Sequence, residues 1–388
     1  MSAAAIDAGA LPVGGGLLAL VRPALDRLAP GSVLAVLADG PGAEQDLASW
    51  CRLARHEFLG AQAQGERTAY LIQRGPHPVF AQVVAGAPGD PASGFAPVGT
   101  LHESAGPRYP FTLLDPARDA PPEAAFLYDR AASHPWDPAR DIRWHEIPKR
   151  GGALEDAVAQ VMSFLAENEL SALYVPARFL PRLHPALITV AQFLASQLAD
   201  EARHIEAFLR RARHGEAAPP RSSPVTAWSL HALLAIDDFT EASFLLSVLG
   251  EGTFLDLLRF IEIHAPDEPT RDLVRRAHAD ETRHVHFGMA HVKHALGRDP
   301  SLAGRLEQAV RRRAASLAGH GGVPEPVADA LTILAAGGTD PRGVARGHEA
   351  YRELLATMAE ARSRRLVAAG FTPAQARALS DLHTPNFM

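Results

Sequence analysis

The chain has 388 residues, 47% of them hydrophobic and 21% charged, which is enough apolar material for a buried core and for more than one domain. A formal net charge of -6, with Lys and Arg scattered rather than clustered, excludes a general affinity for nucleic acid or anionic lipid. One cysteine, Cys51, allows no internal disulfide, and no secretion signal or uncharged apolar run of ~20 residues stands out, so a soluble cytoplasmic protein is expected.

In chain order, residues 1–76 alternate helical and strand patterns, with helices expected at 17–28 and 46–55 and strands at 33–37 and 68–72. They predict a small α/β unit. Residues 77–149 turn to Pro and Gly, as in Pro88-Gly89-Asp90-Pro91 and His134-Pro135-Trp136-Asp137-Pro138, and read as a connector without long periodic segments. From Gly151-Gly152 onward the apolar residues recur at i, i+3, i+4 and i+7, which predicts long helices at 153–176, 185–213, 225–264 and 269–297. The Pro-rich stretch 217–224 separates the two helix pairs and can serve as the crossover of a four-helix bundle occupying 150–298. Further helices at 301–318, 324–336, 341–369 and 373–381 form a C-terminal helical extension over 299–388, with a short tail from His383. The fold class is α+β multidomain and mainly α.

Asp200-Glu201-Ala202-Arg203-His204 recurs as Asp280-Glu281-Thr282-Arg283-His284, an internal repeat eighty residues apart. On an α-helix, residues three apart differ by about 60° and about 4.5 Å, so Glu201 and His204 project from one face, as do Glu281 and His284. Both pairs lie on apolar stripes: Val190, Leu194, Gln197 and Phe208 flank the first, and Leu273 and Ala277 precede the second. Buried carboxylates need cationic compensation, and an acid beside an imidazole on one helix face suits a metal ion.

A dinuclear carboxylate centre needs one more Glu from each of the other two helices. On the first, the stripe Leu154, Val158, Val161, Leu165 continues to Glu169, whereas Glu167 points away. On the third, Glu241 and Glu251 share a stripe, and depth separates them. Glu281 lies about fifteen residues beyond the turn near 266–268, and Glu251 about fifteen before it, while Glu241 would sit a further ~15 Å along the helix. Glu251 is expected and Glu241 is the fallback. Its neighbours Gly250 and Gly252 cost a helix about 1 kcal/mol each, which suggests a local helix defect beside the site. Asp200 and Asp280 suit a supporting role, each accepting the far N–H of an imidazole from the neighbouring helix, with Arg203 and Arg283 pairing with them.

Other residues receive plainer readings. His278 is placed at the edge of the site, His286, His291 and His294 as solvated, Cys51 as a small buried hydrophobe, Tyr174 as a core or interface residue, and Trp136 and Trp144 as anchors of the connector.

The pattern Glu169, Glu201-x-x-His204, Glu251, Glu281-x-x-His284 resembles the ferritin-like diiron-carboxylate superfamily over about 150–297, and its Asp-Glu-x-Arg-His wording resembles the desaturases and their relatives. The resemblance implies two Fe ions, or an Mn/Fe pair, held by these six residues, with O2 as cosubstrate. Residues 6–74 resemble the TusA-like sulfur carriers, a two-layer α/β sandwich, but Leu11-Pro12-Val13-Gly14 stands where that family has Cys-Pro-x-Pro. Without the thiolate no persulfide can form there, so a docking or structural module is expected.

Three functions stay open: a diiron oxidase or oxygenase acting on a small organic molecule; a ferroxidase or peroxide-reducing protein, weakened by the lack of a Cys-x-x-Cys pair; and an interaction protein with a structural metal site. A redox or carrier protein docking on the amino-terminal domain, and a homodimer, remain open as partners.

Overall fold

The computed structural model describes residues 4–75, 80–82, 101–103, 109–318 and 323–382. Much of the expected connector and the tail at 383–388 lie outside these residues. The chain divides into two compact units, Met1–Pro110 and Phe111–Met388.

In the first unit, β1 (Ala4–Gly9), α1 (Leu17–Asp26), β2 (Val33–Ala38), α2 (Ala43–Ala54), β3 (Glu57–Gln64) and β4 (Arg67–Gln73) form a four-stranded sheet in the order β1-β2-β4-β3. β1 runs parallel to β2, and the other pairs are antiparallel. Leu17, Val21 and Leu25 of α1 and Leu47 and Cys51 of α2 pack with Val36, Tyr70 and Ile72 in one core, which makes the unit a two-layer sandwich. β1 and β3 were not expected. β3 reads Glu-Phe-Leu-Gly-Ala-Gln-Ala-Gln and is mostly exposed, so it has no apolar alternation to reveal it. The short strands β5 (Phe80–Gln82) and β6 (Leu101–Glu103) pair antiparallel.

The second unit is helical. After α3 (Pro116–Asp119) and α4 (Ala124–Ser133), the long helices α5 (Ala153–Ala177) and α6 (Ile188–Ala212) form one hairpin. The crossover leaves α6 and runs back along the start of α5, where the Gln160 amide both donates to Arg221 O (2.8 Å) and accepts from Arg221 N (2.7 Å).

The third helix, expected as one piece over 225–264, is broken. It comprises α7 (Pro224–Leu234), α8 (Phe239–Ser243), a π-helical stretch Phe244–Glu251, and α9 (Gly252–His264). Arg178 takes the terminal carbonyl of Leu234, Arg182 donates to Asp237 O (2.8 Å), and Asp238 restarts the helix by capping Glu241 N (3.0 Å). Apolar periodicity runs through the break and conceals it. α9 turns at residues 265–267 into α10 (Glu268–Arg298), whose first turn Asp267 caps at Thr270 N.

The extension, α11 (Leu302–Leu317), α12 (Glu325–Ala336), α13 (Pro341–Ala368) and α14 (Pro373–Leu382), covers the bundle, with α12 against α5 and α13 against α9. One continuous apolar core joins these helices, including Phe164 stacked on Phe254 at 6.4 Å. The second unit is thus a helical bundle with added helices. No helix among the described residues is long and apolar enough to cross a membrane.

Candidate metal centre

α5 supplies Glu169, α6 supplies Glu201 and His204, the end of the π-helical stretch supplies Glu251, and α10 supplies Glu281 and His284. All six are buried, none more than 4% exposed. They fall into two overlapping groups, Glu169, Glu201, His204 and Glu281, then Glu201, Glu251, Glu281 and His284, each offering one ligand atom per residue within 4.8 Å of the rest. Glu201 and Glu281 belong to both. His204 Nδ1 lies 3.3 Å from Glu201 Oε2, 3.3 Å from Glu281 Oε1 and 3.6 Å from Glu169 Oε1. His284 Nδ1 lies 2.9 Å from Glu201 Oε1 and 3.5 Å from Glu281 Oε2.

The outer faces of the imidazoles are tied down crosswise. His204 Nε2 meets Asp280 Oδ2 at 3.2 Å, and His284 Nε2 meets Asp200 Oδ2 at 3.1 Å, so each repeat's Asp holds the other repeat's His. An ionised carboxylate can only accept, which places the proton on Nε2 and leaves the Nδ1 lone pair facing inward. Arg203 and Arg283 each pair with both Asp200 and Asp280, and this lattice locks α6 to α10 at the depth of the site.

Inside that frame eight polar atoms have no partner. Glu169 Oε1, both carboxylate oxygens of Glu201 and of Glu281, Glu251 Oε2, His204 Nδ1 and His284 Nδ1 are buried without a hydrogen bond. Orphaning so many acceptors is far costlier than leaving one or two, and their convergence is what bound cations would relieve. The charges agree. Four glutamates and two aspartates face two arginines in this buried layer, an excess of four negative charges that two divalent cations would balance. Without them the layer holds protons. Burial, reinforced by the Glu281 and Glu201 charges, keeps the Glu169 carboxyl well above its usual range, and burial with Glu281 does the same to Glu251. Burial lowers both imidazoles, yet the charges of Glu201 and Glu281 and the bonds to Asp280 and Asp200 raise them well above the ordinary histidine value. Burial pushes Glu281 up, yet the two imidazoles bring it down to about 2.

Glu241 lies elsewhere, pairing with Arg312 at 2.8 Å. Glu167 is only partly buried and His278 is outside both groups. His291 is not solvated: it is fully buried, bonded to Thr240 Oγ1 at 3.0 Å and packed against Phe239 and Phe287. His286 is exposed and His294 half-buried. Tyr174 is 48% exposed, so it is no core residue.

Trp136 is an unforeseen participant. Its Nε1 donates to Asp280 Oδ2 at 2.7 Å, its ring stacks on His204 at 6.3 Å, and Arg203 lies over its face at 5.2 Å. No spacing rule could link it to a residue 144 positions away. Trp144 instead donates to Pro138 O and carries Arg210 over its ring.

The π-helical stretch explains how Glu251 reaches the cluster. A π-turn is wider than an α-turn and pushes backbone toward the neighbouring helix. Here Ser247 presses on Gly288 of α10, where an added Cβ would come within 2.5 Å of Ser247 Cβ. Gly252 meets a different need, since a Cβ there would lie 2.6 Å from Arg365 Nε of α13. Gln197 Nε2 donates to Glu251 Oε1 at 3.0 Å and fixes that carboxylate. Gln197 and Ser247 also line a narrow cavity walled by Phe179, Phe239, Leu246 and Phe287.

In the first unit, Cys51 sits fully buried in α2, and burial raises its thiol to about 11. Pro12 precedes a short 3-10 turn, Val13–Gly15.

The family model described as Sulfurtransferase TusA matches residues 18–74. Among solved structures, an R2-like ligand-binding oxidase variant with an aerobically reconstituted Mn/Fe cofactor is 18% identical, covering 63% of this chain and 93% of its own, with a TM-score of 0.45. A second variant of that oxidase with the same cofactor is 18% identical over 63% and 92% of the two chains, with a TM-score of 0.47. A third, with an aerobically reconstituted Fe/Fe cofactor, is 16% identical over the same shares, with a TM-score of 0.47.

Proposed function

We propose that the bundle holds two first-row metal ions, an Fe/Fe or Mn/Fe pair, and that the protein is an O2-dependent oxidase or oxygenase acting on a small organic substrate. The supporting observation is the convergence of eight unpartnered buried donor atoms from six side chains on four helical segments. Mixed carboxylate and imidazole donors in two adjoining groups suit iron and manganese and differ from the closed four-ligand, cysteine- or histidine-rich set of a structural zinc. Glu169 and His204 would hold one ion, Glu251 and His284 the other, and Glu201 and Glu281 would serve both. Two redox-active ions so held would supply two of the four electrons that reduction of dioxygen to water requires, the organic substrate or an external reductant supplying the other two.

The chain's own residues prepare this chemistry. Asp280 and Asp200 keep both imidazoles in one tautomer and ring orientation. Gln197 restrains Glu251 through one oxygen and leaves the other free to respond as charge at the centre changes. The aromatic walls around Phe179, Phe239 and Phe287 leave only a narrow cavity beside the π-helical turn and so keep bulk water from it. The amino-terminal module, lacking a reactive thiol, serves docking or structure.

The test is to load metal-free protein anaerobically with ferrous iron and admit air. A ferric optical band with oxygen consumption supports the proposal. A colourless protein that consumes none defeats it, and turnover that needs no organic molecule would assign iron or peroxide handling instead.

A further inference from the structure

Outside the metal layer, the buried arginines of the helical unit are not equally compensated. Arg211 is fully buried but meets Glu155 and Asp267. Arg313 of α11 is 7% exposed and, among the described residues, bonds only Ser229, through O (3.2 Å) and Oγ (2.7 Å). No carboxylate lies within ion-pairing distance of it among the described residues, and the adjoining segment 319–322 contains no acidic residue. Burial pulls its guanidinium down to about 10, with no acid opposing the shift. A guanidinium carries five N–H donors, and Ser229 accounts for two contacts. An unpaired buried charge is expensive unless something of opposite sign completes it.

Arg313 opens into a cleft of about 360 Å3 between α7 and α11. Trp228 forms one wall, 47% exposed, with His231 edge-on to it at 6.1 Å. Arg312 stands at the rim, already paired with Glu241. The volume lies at the small end of organic-ligand sites. The net unpaired charge is one guanidinium, which matches a monoanion rather than a phosphate dianion, and its planar fork suits a carboxylate. The indole offers a flat apolar surface for the rest of the ligand.

We propose that this cleft binds a small organic carboxylate, its carboxylate on Arg313 and its apolar body against Trp228. The site is separate from the metal layer and does not depend on the function assigned to that layer.

Calorimetric titration of the full chain with benzoate, benzyl alcohol and phenyl phosphate tests it. Benzoate should bind saturably and at least about tenfold more tightly than benzyl alcohol, as expected for a charged hydrogen-bonded pair. Arg313→Gln should abolish that preference. Trp228→Ala, with its fold checked by circular dichroism, should weaken benzoate severalfold and so provides a test even where Arg313→Gln does not fold. Absence of benzoate binding, equal affinity for benzyl alcohol, or undiminished binding in either variant would overturn the proposal. Tighter binding of phenyl phosphate would overturn the choice of carboxylate.

Discussion

Gly288→Ala isolates the role of the π-helical turn. The added methyl would sit 2.5 Å from Ser247 Cβ, where carbon atoms ordinarily approach no closer than about 3.5 Å. Both atoms belong to backbone-anchored positions, so no flexible side chain can swing aside; α10 and the π-helical turn must part by roughly an ångström. Overpacking of this kind costs about 1–3 kcal/mol. Ser247 lies four residues before Glu251 in the same stretch, so the displacement also reaches the Gln197–Glu251 contact. Denaturant unfolding of metal-free Gly288→Ala should show that loss, and the variant should retain less metal after dialysis. Ser247→Gly placed in the Gly288→Ala background should recover most of both, less the ~0.5–1 kcal/mol that a helical glycine costs. Normal stability and metal retention in Gly288→Ala, or no recovery in the double variant, would refute the steric reasoning.

Other perturbations follow from single contacts. Trp136→Phe keeps a ring over His204 but removes the donor to Asp280; leaving that buried oxygen short of a partner should cost about 1–3 kcal/mol in unfolding of the metal-free chain, and an unchanged midpoint would contradict it. His291 is pushed from 6.5 down to about 3, chiefly by burial and then by Arg118; Asp119, Asp238, His294 and the Thr240 hydroxyl also surround it. Its folded form therefore stays neutral while the unfolded chain gains a proton, so stability drains as pH falls from 6.5 toward 3. His291→Gln should lose less stability than the parent over that window, by on the order of 1 kcal/mol per pH unit, and parallel pH profiles would show the reasoning wrong.

The parts of the fold legible in the sequence were those governed by helical period. Glu201 and His204 repeat as Glu281 and His284 at three-residue spacing on apolar stripes, and counting from the turn near 266–268 picks Glu251, which lies in the cluster, over Glu241, which lies at Arg312. What was not legible depends on long-range contact. The break at 235–238 is held by Arg178 and Arg182 from the segment that follows α5, beneath an unbroken apolar pattern. The glycines around Glu251 suggested a defect beside the site; the π-helical stretch begins at Phe244, and the space it needs comes from Gly288, thirty-seven residues beyond Glu251. Trp136 reaches Asp280 from a Pro-rich stretch with no periodicity to read, and His291 reads as solvated in the sequence because its partners, Thr240, Phe239 and Phe287, belong to tertiary packing.

The central claim is tested most directly by metal content per chain after reconstitution with ferrous iron and removal of loosely bound ions, for the parent protein and for Glu201→Ala, which removes an acid common to both groups of ligands. Two ions per parent chain, with both lost or sharply reduced in the variant, is the predicted result. One ion or none in the parent, or two retained without Glu201, would contradict a shared two-ion centre.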